Sequence, residues 1–183
     1  MKKILLLLLT VPALSFAQAV SINAAESNIH WVGKKVTGQH EGNISLKSGS
    51  LEMADGKLVG GNFVVDMNTI VVTDLEGDYK NNLEGHLNSD DFFGVANHAE
   101  AQLVFTSVKA ADDKTYDVTG DFTIKGITKP ASFQLEMGAG EAHAKVVIDR
   151  TQFNIRYGSD SFFDNLGDKA IYNDFELDVT LKM

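Results

Sequence analysis

The sequence predicts an all-β, antiparallel domain of about eight strands. Three observations carry that reading. Several segments alternate apolar and polar residues with a period of two, the mark of a strand with one buried and one wet face. Helical spacing is confined to one internal stretch. No proline-rich linker, low-complexity tract or repeat divides the chain, so its 183 residues read as one domain.

The strands follow in order. Ile29 to Val36 reads as a strand carrying Trp31, the single tryptophan. Ile44 and Leu46 share one face of the next. Leu51 and Met53 have the opposite parity, so the register must change between Lys47 and Ser50, with Gly49 the natural bulge site. Phe63, Val65 and Met67 face inward from a strand over Leu58 to Val72, and Leu103 and Phe105 belong to another. From Tyr116 to Ile124 every even position, Phe122 included, is apolar or glycine and every odd position is polar. Ala131, Phe133, Leu135 and Met137 repeat the pattern, as do Ala142, Ala144, Val146 and Ile148 until Val147 breaks it. Phe175, Leu177, Val179 and Leu181 end the series. Between Asp74 and Glu100, Leu75, Tyr79, Leu83 and Leu87 recur every four residues, which predicts helical turns. Ser89, followed by Asp90 and Asp91, predicts a helix N-cap with acids in the first turn.

Residues 1–17 read as a secretory signal peptide. Lys2 and Lys3 precede an apolar run from Ile4 to Leu9, and Ser15-Phe16-Ala17 supplies the small residues that a signal peptidase reads; Ala17-Gln18-Ala19 is a second site. The apolar run is too short to span a bilayer, which takes about 20 residues, so no stable membrane insertion is expected. The domain is then residues 18–183, exported to the periplasm or secreted. With no cysteine in the chain, disulfides, a thiol nucleophile and cysteine-ligated metal are excluded. The leader carries two lysines and no acid, so its removal takes the formal charge from −9 to −11. That charge argues against nucleic acid as a partner. A homodimer is left open.

No constellation of catalytic residues emerges. His30, His40, His86, His98 and His143 form no close pair or zinc-type motif, so no metal is expected. Asp74, Glu76 and Asp78 alternate as in a calcium loop, but Tyr79 stands where the loop needs glycine and Gly85 where it needs glutamate. Arg150 suits an anionic ligand head or, more commonly, an ion pair or backbone contact at a strand end. Gly158-Ser159-Asp160-Ser161 lacks the central serine and second glycine of a nucleophile elbow. Neither a catalytic side chain nor a cofactor is expected.

Amphipathic strands must hide their apolar faces. A sandwich does so but leaves edges, whereas a closed barrel hides both, and the alternation alone does not decide between them. The doublets Phe92-Phe93 and Phe162-Phe163 fall in less regular segments, where aromatics can close a barrel mouth over an apolar ligand.

Four motifs occur in order: Gly38-Gln-His40-Glu-Gly42, Gly85-His-Leu-Asn-Ser-Asp-Asp-Phe-Phe93, Val118 through Gly126 to Pro130, and Ile148-Asp-Arg-Thr-Gln-Phe153. Together the chain resembles the YceI-like family of bacterial periplasmic proteins over nearly its whole mature length. It departs at Asn97-His98-Ala99, where members often carry an aromatic-proline pair. The resemblance implies an extended eight-stranded antiparallel barrel, lipocalin-like in shape, with short helical segments beside it. It also implies a polyisoprenoid or related long-chain lipid in the lumen. Alternation then assigns the lumen residues: Trp31, Phe63, Val65, Phe105, Phe122, Ile124, Phe133, Leu135, Ala144, Val146, Ile148, Phe153, Phe175 and Leu177, with Phe92, Phe93, Phe162 and Phe163 at the mouth. Non-catalytic binding, storage or transport is the expectation. An enzyme acting on such a lipid and a structural barrel with a filled core are the alternatives.

Overall fold

A computed structural model describes residues 17–183; the signal-peptide reading lies outside them. The elements are β1 (Gln18–Ser21), β2 (Asn28–Lys35), β3 (Gly38–Ala54), β4 (Lys57–Val72), α1 (Gly77–Asn88), β5 (Glu100–Ala110), β6 (Thr115–Ile124), β7 (Ile127–Met137), β8 (Glu141–Asp149) and β9 (Ile171–Lys182). Strands β2 to β9 form an eight-stranded antiparallel barrel, closed where β2 pairs with β9. The short β1, which the alternation does not reveal, pairs with β3 at Ser50–Met53, beyond the reach of β2.

Alternation does become an inner face. Tyr116, Val118, Phe122 and Ile124 on β6, and Ala142, Ala144, Val146 and Ile148 on β8, are buried. Val147, the residue that breaks the pattern, is 55% exposed because it points outward like the polar residues beside it.

Register shifts interrupt the long strands, three of them on β3, β4 and β5. Leu46 faces Val65 and Ser48 faces Val64, so the extra residue on β3 is Lys47. The register change therefore lies within the expected interval, but not at Gly49. That glycine serves close packing: a Cβ there would sit 2.6 Å from the Phe63 ring. On β4 the chain bulges between Asp66 and Val71, where the Thr69 hydroxyl donates to the Asp66 carbonyl and accepts from the Ser45 amide. On β5 the extra residue is Thr106.

The wall is thinnest between β7 and β8, where only Gln134–Met137 pair with Ala142–Lys145. Pro130, with no N–H to offer, falls in the part of β7 unpaired on that side. A 3-10 turn at Arg150–Phe153 packs against β7 and β9 and buries Phe153.

Helical spacing between Asp74 and Glu100 becomes the single α-helix α1, with Leu87 buried and Tyr79 exposed. Ser89 ends α1 rather than starting another helix: its hydroxyl and its amide both donate to the His86 carbonyl. Asp90 and Asp91 continue into hydrogen-bonded turns, so the N-cap expectation is corrected.

Candidate binding cavity

The barrel encloses a cavity of about 190 Å³ whose surface is almost wholly apolar. Cross-strand registers stack its wall in tiers. Gly33 faces Phe175. One pleat deeper, Trp31 faces Leu177, which faces Val146. Deeper again, Ile29 faces Val179, Val179 faces Ala144 and Ala144 faces Leu135. An aromatic chain runs across the interior, with Phe63 to Phe105 at 5.5 Å, Phe105 to Phe133 at 5.8 Å and Phe133 to Phe122 at 6.1 Å between ring centroids. These tilted and edge-on pairs are favourable aromatic geometries. Leu51, Leu58, Tyr116 and Val118 are buried without surface on the cavity, so part of the barrel is solid core.

At the mouth lie Leu87, Phe92, Phe93, Arg150, Ile171, Tyr172 and Asp174. Tyr172 is half exposed, whereas Phe92 is buried against Phe93, with ring centroids 4.9 Å apart. Arg150 is only 2% exposed. Its Nε donates to the Tyr172 carbonyl at 3.1 Å, Nη1 to Ile155 at 2.8 Å and Nη2 to Ile171 at 3.0 Å. The guanidinium also stands 5.8 Å from the Phe92 ring centre. Burial pushes its pKa down, against the pull of Asp149 and Asp160. The side chain thus staples the end of β8 to the start of β9, the backbone role that the sequence favoured over an anion site.

Of the residues assigned to the lumen, Trp31, Phe63, Val65, Phe105, Phe122, Ile124, Phe133, Leu135, Ala144, Val146, Phe175 and Leu177 reach the cavity. Ile148 and Phe153 do not. Ile148 has inward parity, but it ends β8 beside the 3-10 turn and is consumed by core packing; Phe153 lies in the turn itself. Phe92 and Phe93 line the cavity, but Phe162 and Phe163 are 45% and 50% exposed and stand outside it. The Arg156 guanidinium lies 4.7 Å from the Phe162 ring centre, and Phe163 borders a shallow polar hollow with Lys125 and Arg156. Sequence reasoning left out several lining residues, among them Ile29, Gly33, Ile70 and Ile171. Parity with Trp31 would have found the first two; no local signal marks Ile70, which lies inside the β4 bulge.

The polar residues set aside in the sequence are scattered. His30 contacts Asn43 and Glu41, His143 contacts Glu141, and the half-buried His86 lies between the Phe92 and Tyr157 rings. His40 Nδ1 lies 2.8 Å from Asp74 Oδ2, while Asp74 Oδ1 accepts from the Glu41 amide. Burial draws the Asp74 pKa upward, but the Glu41 amide and the His40 ring together hold it below the usual carboxylate range. Among the described residues no three His, Asp or Glu side chains gather as a metal would require.

This architecture defines a class of small closed antiparallel barrels with an apolar cavity inside the ring. The YceI-like domain matches residues 21–183, and the protein belongs to that family. A UPF0312 protein of Pseudomonas fluorescens is 42% identical over 71 residues, 39% of this chain and 36% of the relative, so the match spans about a third of that relative's length. Among solved structures, BcnA of Burkholderia cenocepacia superposes with a TM-score of 0.68 at 18% identity, covering 87% of this chain and 98% of BcnA. A polyisoprenoid-binding domain from Saccharophagus degradans, implicated in plant cell wall breakdown, gives 0.60 at 15% identity over 88% and 95% of the two chains. At such identities these structures establish the shared barrel.

Proposed function

We propose that this protein holds a long-chain isoprenoid-type lipid in its lumen, as a carrier or buffer in the periplasm or outside the cell, without altering it chemically. The observation that carries the reading is the cavity surface: almost wholly apolar, with its one buried cation, Arg150, bound to backbone carbonyls. Family membership and the polyisoprenoid-binding neighbour support the same ligand class. Each buried methylene contributes roughly 0.8 kcal/mol, so about ten carbons supply on the order of 8 kcal/mol before ordering costs. The volume of about 190 Å³ is near that of an engineered apolar cavity of about 150 Å³ that admits benzene.

Native mass spectrometry of protein purified from its own cells tests the reading directly. A retained lipid, recovered chemically intact after incubation, is the expected result. Bare protein from every preparation would instead favour the filled-core barrel, and a reproducible product lost in His40→Ala or Asp149→Asn would make it an enzyme. The mature N-terminus should be Gln18, or Val20 if the second site is used; finding Met1 on protein from the cell envelope would overturn export.

A further inference from the structure

Five aromatic side chains stand exposed among the described residues, and four of them, Tyr157, Phe162, Phe163 and Tyr172, fall within residues 157–172. Each of these four is 45% to 52% exposed. Water is a poor solvent for such rings, and a cluster of them on one surface marks a contact with an apolar partner. The presentation is held in place by buried polar groups. Ser159 is fully buried; its hydroxyl donates to Asn173 Oδ1, and Asn173 Nδ2 donates to the Ser161 hydroxyl oxygen. The amides of Phe162 and Phe163 both donate to the Ser159 carbonyl. This network ties the turn to β9 and fixes where the two phenylalanines leave the surface.

The patch is continuous with the cavity mouth. Tyr172 is half exposed and also lines the cavity. The Tyr157 ring centre lies 4.3 Å from that of His86, which lies 5.6 Å from that of Phe92, another lining residue. Beside the patch is the hollow bordered by Asp90, Asp91, Lys125, Arg156, Tyr157 and Phe163. Two carboxylates and two cations thus share one opening with two aromatic rings. Among the described residues none of these four charged groups belongs to an ion pair, although Lys125 Nζ donates to the Asp90 carbonyl at 2.6 Å. Such a set complements a zwitterion, with an ammonium against carboxylate and ring and a phosphate against the two cations. The wider patch is not basic. Within residues 154–172, Arg156 and Lys169 are outnumbered by Asp160, Asp164 and Asp168, so an anionic surface is not favoured.

We propose that this end of the barrel docks on a bilayer of zwitterionic phospholipid, with Phe162 and Phe163 in the interfacial layer and one phosphoethanolamine or phosphocholine head in the hollow. Aromatic side chains are favoured at that depth of a bilayer. Docking brings the mouth against the membrane surface without inserting the chain across it. The choice of a bilayer over a protein surface rests on the lipid-binding reading, because the patch borders the opening of the apolar cavity.

Full-length mature protein is sedimented with vesicles of phosphatidylcholine and phosphatidylethanolamine, and with vesicles in which phosphatidylglycerol replaces part of both. Wild type should sediment with the zwitterionic vesicles, and no more tightly with the anionic ones. Phe162→Ser combined with Phe163→Ser should weaken binding about tenfold at an unchanged melting temperature, because each ring is already half in water. Asp91→Asn should weaken it about two- to fivefold, the contribution of an exposed ion pair. A surface held by general charge would instead gain from losing an acid. A spin label on the lipid heads should broaden the amide signals of residues 157–163 in wild-type protein. It should spare residues 138–140, at the opposite end of the barrel. Wild type that stays in solution, undiminished binding by the phenylalanine variant, or broadening at both ends overturns the docking. Tighter binding to anionic vesicles, or to zwitterionic ones by Asp91→Asn, overturns the head-group hollow. The spin-label result is read on wild type, so it stands even where a variant folds poorly. Lumen lipid is measured separately by native mass spectrometry. Lipid retained by protein that ignores vesicles sinks the docking alone, whereas docking by protein with an empty lumen upholds it and sinks the lumen reading.

Discussion

Replacing Arg150 by methionine removes the staple between the end of β8 and the start of β9 while keeping a long apolar stem. Three hydrogen bonds from a charged donor disappear, at distances of 2.8–3.1 Å. Bonds of that kind contribute about 1.5–3 kcal/mol each when their partners stay buried. Two of the three are only partly buried, so water can replace some of that loss, and removal of a buried charge offsets more. The Ile155 carbonyl has no such relief, because its bond is fully buried. A net loss of about 2–4 kcal/mol follows. For a domain of this size each kcal/mol moves Tm by about 2–4 °C, so Tm should fall by roughly 5–15 °C. Circular dichroism melts of Arg150→Met, Arg150→Lys and wild type measure it. The lysine variant should also melt low, since one ammonium cannot reach three carbonyls set by the planar fork. A methionine variant melting within about 2 °C of wild type would refute the staple.

Ala144→Trp projects an indole into the deepest tier, between Leu135 and Val179; lipid occupancy by native mass spectrometry should vanish, with a stability change of about 1–3 kcal/mol from overpacking. Unchanged occupancy in the folded variant would place the ligand elsewhere. Gly42→Ala should abolish soluble folded protein or lower stability by several kcal/mol, because the Val71 backbone cannot yield as a side chain would. Gly33→Ala, with open space around its Cβ, should melt at or slightly above the wild-type temperature. The depressed Asp74 carboxyl adds stability above its unfolded pKa of about 4, and that stability is lost as pH falls through the native value. Melts from about pH 6 to about pH 2 should therefore show wild type losing its advantage over Asp74→Asn at the acid end; a gap independent of pH would contradict the assignment.

Where the sequence could be read and where it could not follows from what sets each feature. Strands β6 to β9 were legible because inward residues, buried or half-buried, alternate with exposed ones along most of their length, so parity alone separates Phe122 and Val146 from Asp121 and Lys145. The register change on β3 was legible as an interval, since parity flips across it, but not as a residue. Lys47 bears the bulge while Gly49 is small for the sake of Phe63, and only the partner strand reveals that. Parity likewise marks which side chains point inward without saying whether empty space or another side chain awaits them, hence Ile148. Phe162 and Phe163 stand exposed and off the cavity lining, since a doublet in a loop carries no direction. Ser89 caps at either end of a helix, and tertiary context at Phe92 and Phe93 decided that α1 stops there. Arg150 could be placed at a strand end but not among carbonyls contributed by residues 155, 171 and 172.

The pairing of β2 with β9 sets the timing of folding. Asn28 meets Thr180, Trp31 meets Leu177 and Gly33 meets Phe175. The two strands stand near opposite ends of the chain, so β2 keeps one edge open until β9 reaches it. Contacts between strands so far apart in sequence also make closure slow relative to local hairpins. During that interval β2 offers an unpaired row of amides and carbonyls, the kind of edge that recruits other strands. A nascent barrel of this topology must be kept from its neighbours until its final strand is available. Any product that stops short of Ile171 presents β2 and β8 as two open edges at once.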